Sequence, residues 1–308
     1  MKIILSLFLL AICLTGAGQD GIIVEQIKYD IPDSVRNHKN KTAALFYSIT
    51  YLSDGLKIKG FIAMPADSNR HPCILFNRGG NESVSMLTNE SFARKAAFLL
   101  DNGYLVAATQ YRGSSGSEGK DELGGKDVND VLNLIHALRY IPQADTANVG
   151  LFGWSRGAIN TYVALTKTPG VKAAVVGGGF SDLLSLRNWR KAFDTGLYAK
   201  LIPEYRQTKN EELLKERSAF YLANKLPKNT PVLLLHGTAD GNVPASQSIT
   251  LAQKFFDSKQ PFRLIIYEGG YHSLEQFKVE YEAEIIKWFN NYLQDGRKLP
   301  ALEPVFRR

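Results

Sequence analysis

Apolar and polar residues alternate along the first part of the chain and then give way to solid apolar runs. Ile22-Ile23-Val24-Glu25-Gln26-Ile27-Lys28-Tyr29 predicts one strand, and Tyr47-Ser48-Ile49-Thr50-Tyr51-Leu52 a second that runs into the turn signal Ser53-Asp54-Gly55. Lys57 to Met64 alternates out of that turn, so the two segments predict a β-hairpin. Beyond it the pattern is strand then helix, repeated. Strands are predicted over 73–77, 105–109, 149–152, 172–177, 232–236 and 263–267, and helices over about 91–102, 127–141, 156–167, 246–258 and 274–293. Several of these strands are apolar at every position, as in Val232-Leu233-Leu234-Leu235, which is what a parallel strand covered on both faces requires. The predicted fold is α/β: a doubly wound, mostly parallel sheet with antiparallel strands at its N-terminal end. Residues 180–231 break the rhythm. Trp189, Phe193, Tyr198, Tyr205, Phe220 and Tyr221 recur there among charged residues at mixed helical spacing, which predicts a small helical cap inserted between core strands.

Composition changes this picture mainly at the N-terminus. With 44% hydrophobic and 22% charged residues in 308, the chain has the make-up of a soluble protein with a proper core. Met1-Lys2, the apolar block Ile3–Leu14 and the small residues Gly16-Ala17-Gly18 have the layout of a secretory signal peptide over 1–18, too short to span a bilayer. Residues 19–308 are then expected as one domain, secreted or periplasmic, with no stable membrane insertion after cleavage. Ile12 is too large for the small residue that precedes a lipidated cysteine, which argues against anchoring at Cys13. Cleavage leaves Cys73 alone inside Cys73-Ile74-Leu75-Phe76, so a disulfide framework is excluded and the thiol reads as a small core hydrophobe. The net charge of +7 is scattered, densest at Arg187, Arg190 and Lys191, and no basic stripe suggests nucleic acid. No H-x-x-x-H or C-x-x-C spacing occurs, so neither metal nor cofactor is expected.

The candidate chemistry centres on Gly153-Trp154-Ser155-Arg156-Gly157, at the end of the apolar run Val149–Phe152 and the start of a predicted helix. A serine between glycines at a tight strand-to-helix turn is a nucleophile elbow, which exposes the hydroxyl and aims the next N–H at a developing oxyanion. A serine hydroxyl at neutral pH needs a base within hydrogen-bond reach and a third group to orient that base. Among the five histidines only His272 sits on a loop past a late core strand, in Gly269-Gly270-Tyr271-His272-Ser273. His236 ends a buried strand and reads as a satisfied core histidine. Asp240, just past the strand Val232–Leu235, is the candidate acid. The order Ser155, Asp240, His272 is that of α/β-hydrolases and not of chymotrypsin or subtilisin.

Three segments carry a family resemblance. His236-Gly237-Thr238-Ala239-Asp240-Gly241-Asn242-Val243-Pro244 with Ser246-Gln247-Ser248 resembles the acid-bearing segment of the prolyl oligopeptidase family. Gln110-Tyr111-Arg112-Gly113-Ser114-Ser115-Gly116-Ser117-Glu118-Gly119 with Gly124-Gly125-Lys126-Asp127-Val128, and the opening strands around Ser53–Gly60, are similar to the same family. The resemblance runs from about residue 47 to 293 and implies an α/β-hydrolase domain with Ser155 as nucleophile, Asp240 as acid and His272 as base. Three departures stand out. The family's peptidases usually carry a β-propeller, and about 30 N-terminal residues are too few for its four-stranded blades. The first core strand is followed by Asn77-Arg78-Gly79-Gly80-Asn81-Glu82 in place of an oxyanion tyrosine or a His-Gly-Gly-Pro run. The elbow ends Gly157-Ala158 where a second glycine is common.

The expected oxyanion donors are the Arg156 N–H together with a Gly79 or Gly80 N–H or the Arg78 guanidinium. Trp154, Tyr111 and Tyr271 are candidates for an apolar substrate pocket, alongside cap aromatics. The expected activity is hydrolysis through an acyl-enzyme of a small-molecule or short-peptide substrate, at a peptide or aminoacyl amide bond. Carboxylester hydrolysis is the alternative, since the same chemistry serves both bonds. A non-catalytic binding protein on this fold is the remaining reading, weakened because no member of the serine, histidine and acid set is missing.

Overall fold

A computed structural model describes residues 20–32, 35 and 43–302. The expected signal peptide over 1–18, His38 and residues 303–308 lie outside them. The opening hairpin is β2 (Ala44–Ser53) and β3 (Leu56–Pro65), with β1 (Ile23–Tyr29) antiparallel to β2. Asp54 and Gly55 both have positive φ (51° and 76°), the tight turn whose twist suits a two-residue hairpin loop. The remaining strands are β4 (His71–Asn77), β5 (Leu105–Thr109), β6 (Ala144–Trp154), β7 (Val171–Gly177), β8 (Val232–Gly237) and β9 (Phe262–Tyr267). Together they form one sheet of order β1-β2-β3-β5-β4-β6-β7-β8-β9, parallel from β5 onward.

Both faces of the sheet are covered, as the solid apolar strands required. Along β8 the side chains alternate, Val232 and Leu234 into one core, Leu233 and Leu235 into the other. The first core is closed by α2 (Asp127–Ala137), α3 (Gly157–Lys167) and α4 (Ser246–Asp257). The second is closed by α1 (Asn89–Leu100) and α5 (Lys278–Phe289). Cys73 is fully buried in β4, where burial pushes its thiol up to about 12. Strand order reverses between β4 and β6, since β4 leads to β5 on one side and neighbours β6 on the other. The loops leaving the C-terminal ends of these two strands therefore diverge and open a crevice at the sheet's edge.

Where boundaries differ from expectation, local chemistry explains the shift. The helix expected over 127–141 ends at Ala137 and finishes as a 3₁₀ turn, Leu138–Tyr140. Ile141 precedes Pro142 and is extended (φ −98°, ψ 113°), as residues before proline prefer. The helix expected over 274–293 is divided. Leu274 is left-handed (φ 53°), a 3₁₀ turn covers Glu275–Phe277, α5 follows, and Asn290–Gln294 closes as a π turn. β6 is longer than expected because its polar start pairs with the beginning of β4, His71 opposite Ala144. Residues 180–231 form short helical turns, including Leu183–Trp189, Tyr205–Thr208 and Ala219–Leu222, whose buried side chains belong to the first core. This segment reaches the β4–α1 loop through an ion pair between Lys200 and Glu82 at 2.6 Å.

Candidate active site

Three loops at the C-terminal edge of the sheet converge on one point. Ser155 follows β6 directly and holds φ at +56°, a left-handed conformation uncommon outside glycine. The chain can turn this tightly only because its neighbours lack Cβ atoms. A Cβ on Gly157 would lie 2.0 Å from the Asn77 carbonyl oxygen, and one on Gly153 2.4 Å from Thr161 Oγ1. The Ser155 N–H donates to the Gly177 carbonyl at 2.8 Å, which ties the turn to β7.

His272 lies in the loop between β9 and α5, and its Nε2 is 2.9 Å from Ser155 Oγ. Its Nδ1 is 2.7 Å from Asp240 Oδ2, in the loop after β8. Ionised Asp240 only accepts, so Nδ1 carries the proton and Nε2 is left to accept from the serine hydroxyl. The Trp154 indole N–H donates to the His272 carbonyl at 3.0 Å and fixes the loop from the other side. Asp240 Oδ1 accepts from the N–H groups of Asn242 and Val243 at 2.8 and 2.9 Å.

Asp240 has a second imidazole neighbour that the pattern of the chain did not reveal. His236, fully buried, places Nε2 3.2 Å from Asp240 Oδ2 and 3.0 Å from the Val243 carbonyl, with Nδ1 2.7 Å from Ser248 Oγ. Two acceptors on one side make Nε2–H the donor and leave Nδ1 to accept from Ser248. The satisfied core histidine is thus also a donor to the carboxylate. Burial alone would raise the Asp240 carboxyl, but hydrogen bonds from His236, His272 and the Val243 N–H outweigh it and hold it well below the usual carboxylate range.

The expected oxyanion loop lies against Ser155: a Cβ built on Gly79 would stand 3.7 Å from Ser155 Oγ. Neither the Gly79 nor the Arg156 N–H has a hydrogen-bond acceptor among the described residues. The Arg78 guanidinium, in contrast, does not face the serine. It is 1% exposed and donates to the carbonyls of Gly79, Glu82, Val84 and Gln110 and to Ser114 Oγ, at 2.7–3.1 Å. Its place is inside the loop, as the frame that shapes residues 79–84. The Arg156 side chain is also internal, paired with Asp121 at 2.5 Å and Asp127 at 2.8 Å.

Tyr111 corrects a second expectation. Its ring is fully buried against the two guanidiniums, 5.2 Å from Arg78 and 4.8 Å from Arg156, so it packs the elbow against the loop and does not line the cleft at Ser155. Tyr271 is 62% exposed and does not line the cleft at Ser155. Trp154 does line it. That cleft, of about 510 Å³, also corrects the expected part of the cap: none of its lining residues comes from 180–231. It opens instead between α1 and α5, on the face of the sheet that the cap does not cover. Among the described residues no cluster of three His, Cys, Asp or Glu is placed to hold a metal, and no helix is long and apolar enough to cross a membrane.

Comparison with known proteins identifies the family. The prolyl oligopeptidase family matches residues 90–296. An uncharacterized peptidase of Bacillus subtilis, YtmA, is 31% identical over 234 residues, covering 73% of this chain and 85% of that protein. Acylamino-acid-releasing enzyme 1 of Oryza sativa subsp. japonica is 24% identical, covering 79% of this chain but only 33% of the longer plant protein. Among solved structures, a Pyrococcus horikoshii acylaminoacyl peptidase superposes with a TM-score of 0.71 at 24% identity, over 88% of this chain and 45% of its own, which shows the shared α/β-hydrolase fold. With that fold and a family match across two thirds of its length, the chain belongs to the prolyl oligopeptidase family of serine hydrolases.

Proposed function

We propose that the protein is an exported serine peptidase in which Ser155 is the nucleophile, His272 the general base and acid, and Asp240 the residue that orients and charges the imidazole. The observation that carries this reading is the hydrogen-bonded chain Ser155 Oγ, His272 Nε2, His272 Nδ1, Asp240 Oδ2 at 2.9 and 2.7 Å. Ser155 Oγ attacks the substrate carbonyl carbon while its proton passes to His272 Nε2. The carbonyl oxygen becomes an oxyanion beside the N–H groups of Gly79 and Arg156. Collapse breaks the bond to the leaving group, which takes the proton from His272, and an acyl-enzyme remains. Water then repeats the cycle and releases the acid. Asp240 stays ionised throughout.

Peptide or aminoacyl amides are the proposed substrates, on the strength of the family and of relatives named for releasing acylated amino acids. Carboxylester hydrolysis is the second reading, favoured by the open, aromatic-lined cleft at the serine. A panel of aminoacyl anilides and acyl esters separates them: turnover of anilides supports the peptidase, and turnover confined to esters removes it. Export rests on the layout of residues 1–18. Intact mass of the protein from the native host tests it, since a mature chain retaining Met1 to Gly18 contradicts export.

A further inference from the structure

The cleft beside Ser155 has a built apolar floor. β4 and β6 run parallel with Phe76 directly opposite Phe152, one residue before the end of β4 and two before the end of β6. The two rings sit 5.3 Å apart. Phe98 of α1 meets Phe152 edge-on at 6.5 Å, Trp154 meets Phe152 at 6.1 Å, and Tyr281 of α5 meets Trp154 at 5.5 Å. These five rings form one continuous wall, and Ser155 and His272 line the same cavity. Its volume, about 510 Å³, lies in the range that encloses small organic groups. A second hollow of about 580 Å³ continues along the α1–α5 seam, sharing Phe98 and Glu282 with the first. The space is therefore long, aromatic beside Ser155 and more polar at its far end, where Asn102, Lys287 and Asn291 line it.

We propose that the α1–α5 cleft is a substrate subsite that takes an extended apolar or aromatic group on one side of the scissile bond, with Lys95 at its lip. The proposal rests on Ser155 being the nucleophile, because the reacting carbon must sit where the cleft meets Oγ. Three observations select this occupant. The five rings pack in one connected group, while the charged lining residues Arg94, Lys95, Lys278 and Glu282 come from α1 and α5, so an apolar group has a continuous aromatic surface to lie on. The cavity is continuous with Ser155 and His272, so a group attached to the reacting carbonyl enters it without crossing solvent. Lys95 projects from the exposed side of α1, and its ammonium lies 5.6 Å from the Phe76 ring centroid. There its methylene stem can cover one flank of the bound group, and burial beside the aromatic wall holds its ammonium below the ordinary lysine value. The cap, whose side chains fill the other core, is on the opposite flank of the sheet and does not contribute to this pocket.

Two ester series test the subsite: p-nitrophenyl esters from acetate to octanoate, which lengthen the acyl side, and alkyl acetates from methyl to octyl, which lengthen the leaving side. In one of the two, kcat/KM is expected to rise by about three- to fourfold per methylene, until the cleft is filled. Lys95→Trp, which places a ring across the lip from an exposed helix position, is expected to reduce the long-to-short ratio at least tenfold, whereas Lys95→Met keeps it. Lys278→Trp, on the facing helix, blocks the same lip and serves where Lys95→Trp fails to fold. Flat profiles in both series, or a wild-type ratio retained in the folded tryptophan variants, overturn the subsite. Labelling of the wild-type protein by a small fluorophosphonate reports the serine chemistry separately. A protein that labels but shows flat profiles loses the subsite alone, and one that does not label loses the nucleophile as well.

Discussion

At the scale of single residues, the site depends on groups whose surroundings leave them one available role. Ser155 sits at a positive φ that its flanking glycines make possible, and Ser155→Ala is expected to lower kcat by about 10⁶-fold while leaving the fold intact, as measured by steady-state kinetics and thermal melting. Asp240→Asn should cost about 10⁴-fold in kcat, because an amide can present its N–H to His272 and favour the wrong tautomer. Asp240 also links stability to acid. Its carboxyl is held below its ordinary value of 3.8 in the folded protein, so its contribution is present above that value and is lost as pH falls through the lower, folded one. Urea unfolding of wild type and Asp240→Asn should therefore show a stability gap near neutral pH that narrows as the pH falls below about 4. A gap independent of pH would contradict the assignment. The elbow, Asp240 and His272 were legible in the chain because each stands at the end of an apolar run. His236 as a partner of Asp240 was not, since nothing in a buried strand's pattern tells which polar group its last residue meets.

Among elements, the β4–α1 loop and the elbow are held in register by charges that water does not reach. Arg78 frames the loop from within, Arg156 pairs with Asp121 and Asp127, and Tyr111 lies against the two guanidiniums. Arg78→Met is expected to free the loop carbonyls, displace the Gly79 N–H and lower kcat about 10²–10³-fold, the loss typical of one oxyanion donor. A variant with wild-type kcat would show that the loop keeps its shape without the guanidinium. Arg156→Met leaves two buried carboxylates without their cation and is expected to destabilise the fold by about 3–5 kcal/mol in urea melts. The glycines of this loop and the motif around Asp127 were visible in the chain. The ion pairs were not, because they join the elbow to the segment Asp121–Asp127, some thirty residues earlier in the chain. Tyr111 illustrates the same limit: an aromatic residue in a polar loop reads as a pocket wall until the arginines that pack against it are placed.

At the scale of the whole molecule, the strand order explains why the site lies where it does. The reversal between β4 and β6 opens the crevice, and the hydrogen-bonded chain Ser155, His272, Asp240 is assembled at its rim from β6, β8 and β9. Solid apolar strands, repeated strand-then-helix units and the Asp54-Gly55 turn made this architecture readable from the pattern alone. The pocket was not, since α1 and α5 meet only after the sheet is wound, and the aromatic segment over 180–231 was the more conspicuous candidate. The matched region spans 85% of the short Bacillus relative but 33% of the rice enzyme. The central claim is that Ser155 is an activated nucleophile. Its most direct test is intact mass after incubation with a small fluorophosphonate. One adduct on the wild-type protein, absent from Ser155→Ala and slowed in His272→Ala, is the predicted result. A folded wild-type protein that gains no adduct, or a Ser155→Ala variant that labels equally well, would contradict it.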